Sequence, residues 1–163
     1  MASASFDYVL TLDERLEFFR KASPTAIFAL IDSIPELRTG LPQDYLRELD
    51  VSDCMICLWG SLVCWAISKG NMVLREMQLC SIVADQQVWD SLVSAGTGSG
   101  KTLPIAICTL LDDPAKKKVT IIISPLKRLQ KIQVAAFKQF GIHAVTINED
   151  TPQESTWWLV SVE

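Results

Sequence analysis

The chain has 163 residues, 49% of them hydrophobic and 21% charged, which is the balance of a folded globular protein and excludes a disordered one. A net charge of −4 excludes a global basic field that would draw nucleic acid to the whole surface. The charge is uneven, however. Lys101, Lys116, Lys117, Lys118, Lys127, Arg128, Lys131 and Lys138 stand against only Asp112 and Asp113 between residues 101 and 140, so a local basic face is available to phosphates.

At the N-terminus, residues 1–7 have no basic start and no apolar run follows them directly, so no signal peptide is expected. Residues 1–70 read as a helical N-terminal segment. Leu12, Leu16 and Phe19 recur at helical spacing. Ser23 before Pro24 has the form of an N-cap followed by proline at the first helical position, with Ile27, Leu30 and Ile31 on one face of the helix that follows. Gly40-Leu41-Pro42 breaks the pattern and residues 45–49 resume it. Residues 54–68 form the longest uncharged stretch, but it is shorter than the ~20 residues that cross a bilayer and is interrupted by Gly60 and two serines. It reads as a buried helix, and no membrane partner is expected.

The five cysteines, Cys54, Cys57, Cys64, Cys80 and Cys108, lack the spacing of a small disulfide scaffold. Cys54 and Cys57 are a lone CxxC pair with no second pair to complete a four-ligand zinc site, and the single histidine, His143, is far away in sequence. At near-helical spacing in an apolar run these thiols read as small hydrophobes, which fits a reducing compartment, nucleus or cytoplasm. No chemical motif lies in residues 1–70, so packing is the expected role and partner binding the alternative.

From Arg75 the texture changes. Residues 75–87 read as a helix, 91–94 as a short strand, 101–111 as a helix with proline in its first turn, 119–124 as a uniformly apolar β-branched strand, 126–140 as a helix ended by Gly141, and 143–147 as a third strand. Alternation with short links predicts an α/β fold: a parallel sheet with flanking helices over residues 71–163, preceded by the helical segment 1–70.

Between the first strand and its helix lies Ala95-Gly96-Thr97-Gly98-Ser99-Gly100-Lys101-Thr102, a phosphate-loop pattern with Ala in place of the first Gly. Glycines let the backbone turn tightly and approach a phosphate closely. Successive N–H groups then point inward as an anion-binding nest, and the following helix adds its positive end. Lys101 is expected on the β- and γ-phosphates, and Thr102 on Mg²⁺, with ATP and Mg²⁺ as the implied cofactors.

Three ordered segments resemble the start of the RecQ-like branch of the superfamily 2 helicases. Leu74-Arg75-Glu76-Met77-Gln78 resembles that family's adenine-recognition motif, the phosphate loop resembles its TGxGK[ST] form, and Ser124-Pro125-Leu126-Lys127-Arg128-Leu129-Gln130-Lys131-Ile132-Gln133-Val134 resembles the motif named Ia. The resemblance implies a partial RecA-like P-loop NTPase domain, preceded by a helical extension, that forms the front part of an ATP-dependent 3′–5′ DNA helicase. It assigns adenine to Gln78 with Arg75 nearby, and contact with nucleic acid, single-stranded DNA above all, to Ser124, Pro125, Lys127 and Arg128. An amide side chain can donate and accept at once, as an adenine edge requires, and phosphate contacts of this kind position a strand without reading it.

The sequence departs from the pattern at three places. Asn71 stands where the family carries an aromatic four positions before Arg75, Gly96 follows Ala95 in place of the usual proline, and Val88-Trp89 replaces a glycine turn before Asp90. The acidic Walker B motif, an apolar strand running into Asp-Glu, is not found after Ile147. There Asn148-Glu149-Asp150-Thr151-Pro152 reads as a loop and Trp157-Trp158-Leu159-Val160 as a last strand or an exposed hydrophobic end. ATP hydrolysis by this chain is therefore not expected. Two other readings share the loop: a non-catalytic remnant or interaction protein that keeps it, and another P-loop NTPase or small-molecule kinase.

Overall fold

A computed structural model describes residues 10–149. They divide between two compact units that meet in sequence after Leu111. The Asp150-Thr151-Pro152 stretch and the Trp157-Trp158-Leu159-Val160 segment lie outside the described residues.

The first unit is built from helices α1 (Leu12–Lys21), α2 (Pro24–Ser33), α3 (Pro35–Gly40), α4 (Gln43–Glu48), α5 (Val51–Ile67), α6 (Glu76–Gln86) and α7 (Thr102–Leu111). Local chemistry sets several of their starts. Thr11 Oγ1 accepts from Glu14 N at 3.3 Å while a Glu14 carboxylate oxygen accepts from Thr11 N at 2.7 Å, a reciprocal cap that opens α1. Ser23 Oγ accepts from Ala26 N at 3.3 Å, as its place before Pro24 predicts, and Asp50 Oδ1 accepts from Asp53 N at 2.8 Å to open α5.

Helix α5 is the hub. It is apolar nearly all the way round, so it cannot lie on a surface. Met55, Cys57, Leu58, Leu62, Val63, Cys64, Ala66 and Ile67 are all buried, and the helix packs against α1, α2, α4, α6 and α7. The buried Ser61 hydroxyl donates to Cys57 O at 2.7 Å, which satisfies it within the helix. The N-terminal helices and the two helices that flank the glycine-rich loop thus share one core, which includes Ile27, Leu62, Leu79, Ile82 and Ile107. Two polar ties reach across it. Arg20 Nη2 donates to Leu110 O at 2.8 Å, placing a cation at the negative end of α7, and Gln87 Nε2 donates to Asp53 Oδ1 at 2.6 Å.

The second unit holds a 3₁₀ turn at Pro114–Lys116 and helix α8 (Lys127–Gln139). Gly141 ends α8 in the left-handed region, with Ile142 N donating to Phe137 O at 2.9 Å.

The expected parallel sheet does not form. Among the described residues there is no strand: residues 91–94, 119–124 and 143–147 are irregular. Their large apolar side chains lie open to solvent, with Ile121 83% and Ile123 94% exposed. The reason is that β-branched runs select against helix locally, whereas a strand exists only through hydrogen bonds to a neighbour. Those bonds are non-local and must overcome loop-closure entropy. Among the described residues no helix is long and apolar enough to cross a membrane, and no three His, Cys, Asp or Glu side chains gather to hold a metal.

Where the family carries a glycine turn, Val88 takes the left-handed conformation itself, with φ +59°. Val88 N donates to Asp85 O at 3.0 Å and Trp89 N to Ala84 O at 2.8 Å, so the helix-ending motif is complete despite the β-branched residue. An L-residue in this region costs about 1–2 kcal/mol. Val88 is 91% exposed and loses no packing when replaced. Val88→Gly is therefore expected to raise the unfolding free energy by about 0.5–1 kcal/mol, read as a higher urea midpoint.

All five cysteines are free thiols. Burial pushes Cys57 and Cys64 up to about 12, so neither forms the reactive thiolate near neutral pH. Cys80 is exposed, whereas burial, the largest cause, holds the nearby Tyr45 hydroxyl above its usual range. Alkylation of the native chain at pH 8, followed by mass spectrometry, should label Cys80 first, with Cys57 and Cys64 reacting only on unfolding.

Candidate functional site

The glycine-rich loop runs from Ala95 to the start of α7. Gly98 and Gly100 have φ +80° and +79°, a region closed to most side chains, and Ser99 N donates to Gly96 O at 3.3 Å across the turn. A Cβ built on Gly96 or Gly98 would meet nothing within 4 Å, so the loop is open on that side. Lys101 is exposed, and its chain folds back over the loop. Its Nζ donates to Ala95 O at 2.6 Å, to Gly96 O at 2.7 Å and to Ser99 Oγ at 3.4 Å. The ammonium thus spans the turn, with its three N–H groups directed at loop oxygens. Thr97 lies at the exposed tip, and Thr102 is the half-buried first residue of α7.

Gln78 is brought to this loop by α6, with Arg75 at the start of the same helix. Arg75 occupies the N-cap position, and its backbone N donates to Gln78 Oε1 at 2.9 Å. Gln78 Nε2 donates to Gly100 O at 3.3 Å. Only 5% of Gln78 is exposed, and a Cβ on Gly100 would come within 2.6 Å of its Nε2. Gly100 is therefore required twice, by its backbone conformation and by this approach. An amide carries two N–H groups and two lone pairs. Gln78 commits one of each to holding the start of α6 against the loop. The sequence singled out Gln78 for an adenine edge but did not show its bond to the loop, because both of its partners are backbone atoms that no residue type advertises.

Ser124, Pro125, Lys127 and Arg128 belong to the second unit, at the start of α8. Ser124 Oγ is shielded from solvent and has no hydrogen-bond partner among the described residues, whereas Ser124 O accepts from Gln130 Nε2 at 2.7 Å. Gln130 Oε1 in turn accepts from Asn148 Nδ2 at 3.1 Å, so this side chain staples the segment before α8 to the one after it. Sequence reading missed Gln130, whose only signal was an amide lying between two loops. Lys127 pairs with Glu149, and Arg128 is exposed. Such an exposed ion pair is worth only about 0–1 kcal/mol, little enough for a phosphate to displace it. Lys118, in the other cationic cluster, pairs with Asp112.

Residues 75–158 match the DEAD/DEAH box helicase family, a span that takes in Arg75, Gln78, the loop and the Ser124 segment. The chain belongs to that family. Over 80 residues it is 34% identical to a protein described as "Putative ATP-dependent DNA helicase Q1" from Caenorhabditis briggsae, a match covering 49% of this chain and 12% of that protein. The chain thus spans a small part of the length of the curated relative it matches. No solved structure matches the chain. The RecQ-like kinship read from the three ordered motifs is borne out by the family match and the relative together. Helicases of this family use ATP with Mg²⁺ and bind nucleic acid.

Gln78→Ala removes the acceptor of Arg75 N and the donor to Gly100 O at one stroke. It is expected to lower the unfolding free energy by about 1–3 kcal/mol, read from urea titration, since buried backbone groups are left unpaired.

Proposed function

We propose that this chain binds MgATP at the glycine-rich loop and nucleic acid at the start of α8, as the front part of an ATP-dependent DNA helicase. The observation that carries the reading is the Lys101 ammonium held across an open glycine turn, 2.6 and 2.7 Å from two loop carbonyls. A phosphate oxygen can replace those carbonyls at the same ammonium, and the open sides of Gly96 and Gly98 leave room for it. The residues fit the triphosphate: Ala95, Gly96, Thr97, Gly98, Ser99 and Gly100 would wrap it with backbone groups, Lys101 would neutralise its far end, and Thr102 would offer its hydroxyl to Mg²⁺. ATP supplies the phosphoryl bond whose cleavage drives strand movement in such proteins.

Gln78, with Arg75 nearby, is proposed to receive the adenine, supported by the bond that brings Gln78 to the loop. One N–H and one lone pair of Gln78 are committed to Gly100 O and Arg75 N, and the proposal gives its remaining N–H and lone pair to the base. Ser124, Pro125, Lys127 and Arg128 are proposed to touch the phosphates of single-stranded DNA, supported by the exposed side chains of Lys127 and Arg128 at the start of α8.

An equilibrium titration with a fluorescent ATP analogue and Mg²⁺ tests the reading. Lys101→Ala should weaken binding by at least about tenfold, the equivalent of one charge-assisted contact. Equal affinity in both proteins would remove the proposal. ATP turnover by the same chain should stay at background with and without single-stranded DNA.

A further inference from the structure

The N-terminal helices carry no chemical motif, yet they are not remote from the loop. At Gly60, α5 approaches α6 and α7 together. A Cβ placed there would lie 3.3 Å from Ile82 Cδ1 and 3.5 Å from Ile107 Cγ2, and both isoleucines are fully buried. Ile82 stands one turn beyond Gln78 on α6. Ile107 stands six residues beyond Lys101, about 9 Å along α7. The bond that joins the two helices at the loop, Gln78 Nε2 to Gly100 O, is 3.3 Å long, at the outer limit for such a contact. A separation of α6 from α7 by a few tenths of an ångström is enough to lose it.

We infer that α5 is a working part of the nucleotide site and that Gly60 and Ile82 are positioning residues, setting the spacing of α6 and α7 and through it the loop that carries Lys101. The inference rests on the reading of that loop as a nucleotide site. Interiors are close-packed, so a methyl group inserted at the crossing moves the helices instead of filling a void. Arg20 at the C-terminal end of α7 and Asp53 opposite the C-terminal end of α6 tie the far ends of both helices to the N-terminal segment. Displacement at Gly60 is therefore directed toward the loop end. The result is a three-point mount through which residues 10–67 act on the loop by way of α6 and α7.

The test is a double-mutant cycle in the full chain, combining Gly60→Ala with Ile82→Val. Alanine adds a methyl at the crossing but also favours helix, which offsets the tight contact in overall stability. Valine at position 82 removes Cδ1, the atom in the way. Gly60→Ala should raise the MgATP dissociation constant about three- to tenfold with the urea midpoint nearly unchanged, and should speed amide exchange at residues 100–103. Adding Ile82→Val should restore both to within about twofold, since contacting residues couple. Unchanged affinity and exchange in Gly60→Ala overturns the inference, as does a loss that Ile82→Val fails to rescue. If wild type binds no nucleotide while the exchange effect and its rescue persist, the mount stands and the nucleotide reading falls. If Gly60→Ala does not fold, Arg20→Ala supplies the same readout: faster exchange at residues 100–103 supports the mount, and unchanged exchange overturns it.

Discussion

The crossing of α5 over α6 and α7 at Gly60 is the constraint on which the first unit depends. Glycine in a helix interior costs about 1 kcal/mol relative to alanine. The return is contact between α5 backbone and the side chains of Ile82 and Ile107, both fully buried. From that crossing the arrangement propagates outward. The α6 helix presents Gln78 to the loop, α7 presents Lys101 and Thr102, and Arg20 and Asp53 secure the far ends. Burial of a single large aliphatic side chain stabilises by about 1.5–3 kcal/mol, so a core built by α5 and the five helices packed on it outweighs the cost of one strained or flexible residue.

Membership of the DEAD/DEAH box helicase family and this helical core describe different stretches of the same chain. The family match begins at Arg75, whereas the core that supports it begins at α1. Kinship therefore accounts for the loop, for Gln78 and for the Ser124 segment, and leaves α1 to α5 unexplained. The packing supplies what kinship does not: a physical connection between those helices and the residues that the family relies on.

What could be read from the sequence followed the distance over which each feature is determined. The Ser23 cap and the Gly141 helix stop involve atoms a few residues apart, and both were legible. The glycine-rich loop was legible because its eight residues are contiguous and each has a stated job. The Gly60 crossing was not, since glycine in an apolar run reads as an interruption and its partners lie on two other helices. Gln78 was only half legible, and Gln130 was missed. An amide announces that it will bond, but not that its partners will be Gly100 O and Arg75 N, or Ser124 O and Asn148. The expected sheet failed on the same ground. Ile121, Ile122 and Ile123 report a local preference against helix, while a strand needs a neighbour that no local preference can supply.

The posture of Lys101 has a consequence for which anions the loop can accept. Its ammonium already faces two carbonyls and a hydroxyl, so an arriving ligand must exchange for those contacts instead of meeting a bare charge. A singly charged ion that offers one oxygen gains little over a pair of carbonyl dipoles. A ligand with several closely spaced anionic oxygens gains much more, because it engages the ammonium and the backbone N–H groups of the turn together. On the proposed reading of the loop as a nucleotide site, its resting state would be self-quenched, a filter passing over dilute small anions in favour of polyphosphate.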